Sequence, residues 1–266
     1  MKLHPILDEI GLRVASRQLH GASGARCSAR YNAGMTTILS IETSCEHGSI
    51  ALLRDAEILT RLLPVGGNTH SGSLLPAIKE LLAEASLTVG ALDVIAFGRG
   101  PGAFTGVRLA CGVAQGLALG ADLPVAAISS LEALALPYAS QVDRLYCAMD
   151  ARMSEVYVAL FQREDAGFRP LANAACVAPD AVPLPEQGGW QGVGTAFAAY
   201  AAQLAARLGG SVTVLDATAV PHAASVARLA AQRPAAWQDA ALAAPDYVRN
   251  RVALTTAERL AQGGRA

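Results

Sequence analysis

Val94 to Phe97 is a short apolar run that passes directly into Gly98-Arg99-Gly100-Pro101-Gly102-Ala103-Phe104-Thr105-Gly106, and a helical pattern over roughly Thr105 to Leu119 follows. A strand, a glycine-dense turn and a helix in immediate succession define an α/β unit. Glycines at alternate positions let the backbone take positive φ and approach another surface closely, and Thr105 is placed to cap the helix. Amide groups at a helix start attract anions, so the segment reads either as a phosphate contact or as a tight structural turn. It is neither a GxxxxGK[ST] loop nor a GxGxxG loop: the only lysines are Lys2 and Lys79, and position 103 is alanine.

The flanking pattern extends this unit. Thr36 to Glu42, Gly48 to Leu53 and Glu57 to Leu63 read as strands forming two successive hairpins, and Leu74, Leu75, Ile78, Leu81 and Leu82 recur at helical spacing with Ser71 or Ser73 as cap. Val125 to Ile128 closes a β-β-β-α-β-α-β order, an α/β fold with a mixed sheet. A similar run opens near Leu145: Tyr146 to Asp150 and Glu155 to Phe161 pair around Ala151-Arg152-Met153-Ser154. Helices over Ala196 to Leu208, Ala223 to Gln232 and Thr255 to Gln262, and a strand over Val212 to Leu215, follow. The chain therefore divides into two related lobes, 35–138 and 139–266, with the last helix able to pack back on the first lobe.

The 266 residues are 52% hydrophobic and 16% charged, with 21 Lys plus Arg against 22 Asp plus Glu, which provides an ample core and no strong overall field. Binding RNA by blanket phosphate neutralisation is disfavoured for the chain alone. Five cysteines without a CxxC pair suit a reduced, cytoplasmic protein rather than a disulfide framework or thiolate zinc site. The longest uncharged stretch, Gln187 to Ala206, is too polar for a membrane span.

Residues 1–34 stand apart, with five basic residues against Asp8 and Glu9, ending just before Met35. They read as sequence upstream of a true start at Met35, as a flexible or helical extension, or as a targeting peptide.

Glu42 ends a buried strand and opens a hydroxyl-rich turn with Thr43, Ser44 and Ser49, a place where magnesium-nucleotide could be held; Asp150 is its counterpart in the second lobe. The alternative is a capping carboxylate in each turn. Gly112, Gly116 and Gly120 form a stripe along the helix after the glycine loop, and each costs roughly 1 kcal/mol relative to alanine. Close packing, inside the lobe or against a partner chain, would compensate. Histidines at HxxH, HxxxH or HExxH spacing are absent, as is a GxSxG elbow, and Cys45 beside His47 makes no nucleophile because adjacent side chains point apart.

Ile38-Leu39-Ser40-Ile41-Glu42-Thr43-Ser44, the Gly98 to Arg108 segment, Asp150 to Tyr157 and Pro245-Asp246-Tyr247-Val248-Arg249 together resemble, in order, the signatures of the TsaB (YeaZ) family. The resemblance runs from Met35 to about Arg251. It implies the actin-like ATPase (ASKHA, RNase H-like) fold, mixed sheets flanked by helices. It also implies a non-catalytic subunit that dimerizes with the catalytic TsaD and works with the ATPase TsaE. That complex transfers threonylcarbamoyl to the adenosine beside the anticodon of tRNAs reading ANN codons, with tRNA met only through the complex and a homodimer expected when the chain is isolated.

By the same resemblance the subunit contact falls on the first-lobe helices, with Leu74, Leu75, Ile78, Leu82, Val107, Gly112 and Gly116 expected at the interface. No tightly bound cofactor is implied. ATP or ADP held weakly at the partner interface would meet Glu42, Thr43, Ser44, Gly100, Gly102 and Thr105. The opening Ile41-Glu42-Thr43-Ser44-Cys45-Glu46 is closer to the catalytic paralogue, but Ser130 and Leu134 stand where that paralogue carries its two metal-binding histidines. The rival readings are an actin-like small-molecule kinase, which needs carboxylates aimed at magnesium, and a metallopeptidase, which needs metal ligands.

Overall fold

The computed structural model describes residues 36–65, 70–165 and 167–249. The extension 1–34, Met35 and the helix expected near Thr255 to Gln262 lie outside the described residues.

The opening hairpins form as their apolar runs require: β1 (Thr37–Glu42), β2 (Ser49–Arg54) and β3 (Glu57–Leu62) pair antiparallel, with Glu42 opposite Ser49 and Arg54 opposite Glu57. On the other side of β1, β4 (Val94–Gly100) and β5 (Val125–Ser129) add in parallel, giving the order β3-β2-β1-β4-β5. Strand β4 is longer than the apolar run, because Gly98 to Gly100 continue the ladder into the glycine loop. Helix α1 (Leu74–Glu84) precedes β4 and α2 (Phe104–Ala121) links β4 to β5.

The second sheet repeats this plan. Strands β6 (Arg144–Asp150), β7 (Val156–Glu164) and β8 (Gly167–Pro170) are antiparallel, while β10 (Trp190–Val193) and β11 (Val212–Asp216) run parallel beyond β6. The order β8-β7-β6-β10-β11 matches the first sheet position for position, and β9 (Ala175–Val177) adds to β7. Glu42 and Asp150 thus end equivalent central strands. The single helix expected over Ala196 to Leu208 is two, α4 (Ala196–Ala199) and α5 (Ala201–Leu208), broken at Tyr200.

The central strands are buried on both faces, so alternate residues feed different cores. Leu39 and Ile41 meet α1 and α2 on one face of the first sheet, whereas Ile38, Val94 and Ala96 meet Val226, Ala227 and Ala230 of α6 (Ala223–Gln232) on the other. Helix α3 (Ser130–Ala135), which follows the first sheet, instead sends Leu131 and Leu134 into the core of the second, against Leu145, Cys147 and Met149. The lobes have exchanged helices. Helix α6 thus packs on the first sheet, although it falls within the range 139–266 expected for the second lobe.

After α6 the chain wraps this lobe like a belt. Gln238 pairs with Val125 and covers the β5 edge, Ala240 enters the core beneath α2 while its carbonyl accepts from Gln115, and Asp246 N–H donates to Arg99 O at 2.7 Å. Helix α2 is long and apolar enough by composition to cross a membrane, but Val107, Ala110, Cys111, Ala114, Leu117 and Ala118 are packed inside the fold.

Candidate functional site

The end of β1, the glycine loop and the start of α3 converge on Glu42, which is 0% exposed. Its Oε1 accepts from the Ser44 N–H at 2.7 Å and its Oε2 from the Ser130 hydroxyl at 2.8 Å. Gly98 lies so close that any β-carbon there would overlap the carboxyl group. Burial pushes the Glu42 carboxyl above the ordinary carboxylate range, opposed by the Ser44 and Ser130 hydrogen bonds. Ser130 thus closes directly onto the acid. Leu134 is core. Burial, with Glu42 nearby, also raises the Cys45 thiol to about 12, which makes it a poor nucleophile.

The two strand-end carboxylates share one local geometry. As Glu42 accepts from the N–H two residues on, so Asp150 Oδ1 accepts from the Arg152 N–H at 2.8 Å, and Asp150 also takes the Tyr200 hydroxyl at 3.0 Å. This is the capping alternative in both lobes. Ser49, read as part of the hydroxyl-rich turn, instead accepts the Ala223 N–H at the start of α6, while Ser40 donates to Ala223 O at 2.8 Å.

The glycine loop is filled by protein. Thr43 is 1% and Ser44 2% exposed; a methyl at Gly106 would overlap Thr43 O, and one at Gly102 would overlap Ser44. The Thr43 hydroxyl donates to Gly106 O at 2.8 Å. Gly100 has φ +106°, a left-handed backbone, and a β-carbon there would come within 3.0 Å of Asp246 O. Of the six residues expected to meet a nucleotide, Glu42, Thr43, Ser44, Gly100 and Gly102 thus face the protein's own backbone or side chains. The sixth, Thr105, is exposed within α2, and it is not the cap: Ala103 holds that position without a side-chain bond.

The expected interface residues divide too. Leu74 at 0%, Ile78 at 1%, Leu82 at 3% and Val107 at 1% exposure are interior, so their place at a partner surface is corrected, and Leu75 is half-buried. They are apolar because α1 and α2 cover their own sheet. Gly112 and Gly116 are exposed, with no described atom within 4 Å of a β-carbon built on either. Gly112 and Gly116 therefore pack against nothing in the described lobe and leave a smooth outer face on α2. Exposed Leu119 lies on the same helix, and the belt alongside exposes Leu242.

Between the lobes a cavity of about 220 Å³ is lined by Gly102 to Phe104 of the loop, Ala151, Arg152 and Tyr157 of the second lobe, and Asp246 to Arg249 of the belt. Of the residues expected to meet a nucleotide, Gly102 alone lines it; the cavity is assembled from three distant segments that no local pattern joins. Among the described residues, no three His, Cys, Asp or Glu side chains converge as a metal-binding group.

The fold and site define a class: a duplicated two-lobed α/β protein whose interlobe carboxylate is sealed by a serine and a glycine, with a smooth helix face outside. A family model described as TsaD, tRNA N6-adenosine threonylcarbamoyltransferase, matches residues 64–264. The tRNA threonylcarbamoyladenosine biosynthesis protein TsaB of Escherichia coli K12 is 34% identical over 226 residues, covering 81% of this chain and 96% of that protein. The Haemophilus influenzae TsaB is 47% identical over 130 residues, 48% of this chain and 55% of its own length. The solved structure of YeaZ from Pseudomonas aeruginosa superposes with a TM-score of 0.71 at 37% identity, covering 80% of this chain and all of that one. The chain belongs to the TsaB/YeaZ family.

Proposed function

We propose that the chain is the non-catalytic subunit of a cytoplasmic tRNA threonylcarbamoyladenosine complex, binding a TsaD homologue through the outer face of α2 and working with a TsaE homologue. The observation that carries this reading is the closure of Glu42: a kinase of this fold needs a carboxylate in contact with magnesium, and this one is 0% exposed and hydrogen-bonded to Ser44 and Ser130. The naming of its relatives as TsaB biosynthesis proteins supports the pathway. The Gly112 and Gly116 face supports the docking mode, because small residues let a second helix approach closely and exposed Leu119 supplies apolar area. An adenine nucleotide held weakly at the partner interface would touch this chain at Thr105 and at the cavity-lining Gly102 rather than at the enclosed Glu42, Thr43, Ser44 and Gly100.

Depletion of the chain in cells, followed by mass spectrometry of tRNA nucleosides, is expected to remove threonylcarbamoyladenosine; an unchanged level would overturn the pathway. Gly112→Arg and Gly116→Arg are expected to abolish self-association or TsaD binding in size-exclusion chromatography. Normal assembly of both variants would move the interface elsewhere. Tight stoichiometric binding of ATP and magnesium by the isolated chain would favour the kinase reading instead.

A further inference from the structure

At Arg249 the belt reaches the opposite lobe from the one it wraps. Upstream it is fixed to the first lobe: Asp246 N–H donates to Arg99 O, and the Tyr247 hydroxyl accepts from Arg108 Nε at 2.6 Å with its ring 5.7 Å from that of Phe104. Two residues on, Arg249 is held by the second lobe. Its Nη2 donates to Ala151 O at 2.8 Å and Arg152 O at 3.1 Å, its Nε lies 2.6 Å from Glu155 Oε2, and its guanidinium sits 5.9 Å from the Tyr157 ring centre.

The turn that receives it is unusual. Arg152, Met153 and Ser154 have φ of 59°, 55° and 57°, three consecutive non-glycine residues in the left-handed region. Such a conformation persists only where surrounding contacts over-determine it. Here those contacts come from Asp150 within the turn, from Glu46 of the first lobe, which pairs with Arg152, and from Arg249. Among the described residues, a further polar contact between the same two walls is the Tyr157 hydroxyl donating to Gly102 O at a long 3.3 Å.

We infer that Pro245 to Arg249 is a latch: anchored on the first lobe and clipped by Arg249 into the strained turn of the second, it holds the interlobe mouth shut over the cavity and fixes the angle between the lobes. Releasing Arg249 lets the turn relax and the two walls separate while both sheets stay intact. The inference rests on the fold alone and is independent of which protein or RNA the chain serves.

Amide hydrogen exchange of the full-length chain, read by mass spectrometry, tests it. Arg249→Met keeps the apolar stem and removes every N–H donor. Exchange is expected to rise at least fivefold in peptides covering both 151–157 and 99–104, with the central strands β1 and β6 at the wild-type rate. A rise below fivefold in either peptide overturns the latch, as confinement to 151–157 would mean that Arg249 only caps its own turn. Should Arg249→Met fail to fold, Glu155→Gln removes the ion pair from the other side, and the same two peptides decide with the same threshold.

Discussion

Two glycines of α2, six residues apart, are expected to respond to the same substitution with opposite sign. At Gly106 a methyl overlaps Thr43 O, a backbone atom in a turn that is itself 1% exposed, so relief requires moving the end of β1 or the start of α2. Overpacking of that kind costs about 1–3 kcal/mol. Any retreat also stretches the Thr43 to Gly106 hydrogen bond, worth about 1 kcal/mol. The helix propensity of alanine returns up to about 1 kcal/mol, leaving Gly106→Ala roughly 1–3 kcal/mol less stable. At Gly112, where a β-carbon meets nothing within 4 Å, only the propensity gain of about 0.5–1 kcal/mol operates. For a chain of this size these become a fall in Tm of roughly 2–12 °C and a rise of about 1–4 °C. Thermal melts followed by circular dichroism, at concentrations low enough that self-association does not contribute, read both. Gly106→Ala within about 0.5 kcal/mol of wild type, or above it, would refute the contact between loop and turn that explains the glycines.

Glu42 and His222 give opposite pH dependences. Burial raises the Glu42 carboxyl, so its stabilising contribution is fully present below the unfolded value near 4.5 and is lost as pH rises through the folded value, with a slope of up to about 1.4 kcal/mol per pH unit. Glu42→Gln keeps an acceptor for the Ser44 N–H and is expected to flatten that decline in urea unfolding between pH 5 and 9; an unchanged slope would mean Glu42 stays ionised. His222 caps α6, its Nδ1 accepting from Ala224 N–H at 3.1 Å, and burial lowers its pKa below 6.5. Its contribution is present above the unfolded value and is lost as pH falls through the folded one. His222→Asn keeps a cap without a titrating ring, so melting at pH 5 relative to pH 7.5 is expected to fall less than in wild type. Leu229→Ala opens the core between α6 and the first sheet, where Leu229 is 4% exposed, and is expected to cost about 2–4 kcal/mol by chemical denaturation.

Strands β1 to β3, β6 and β7, and helix α6 are legible in the sequence because apolar runs and 3.6-residue spacing persist over six or more residues. Strands β8, β9 and β10 are not: Gly-Phe-Arg-Pro, Ala-Cys-Val and Trp-Gln-Gly-Val are too short, or too rich in glycine and proline, to show a period. Yet β8 and β10 complete the duplication that the hairpins suggest. Periodicity shows the apolar face of α1, and the family resemblance alone puts that face at a partner surface, whereas Leu74, Ile78 and Leu82 cover their own sheet. The glycine loop was legible as a close approach; what it approaches, the Thr43-Ser44 turn, depends on pairing across the sheet. Ser130 closing on Glu42 joins residues 88 positions apart, and no local signal carries that.

The exchange of helices between lobes has a consequence for how the chain is made. Ile38, Val94 and Ala96 form a surface covered mainly by α6, and α6 leaves the ribosome after every strand of the second sheet. At translation speeds of about 5–20 residues per second, that surface waits on the order of ten seconds for its cover. The nascent first lobe is thus a natural client for a chaperone that binds apolar β-surface, and a messenger truncated before Ala223 would yield a product for proteolysis rather than a half-sized domain.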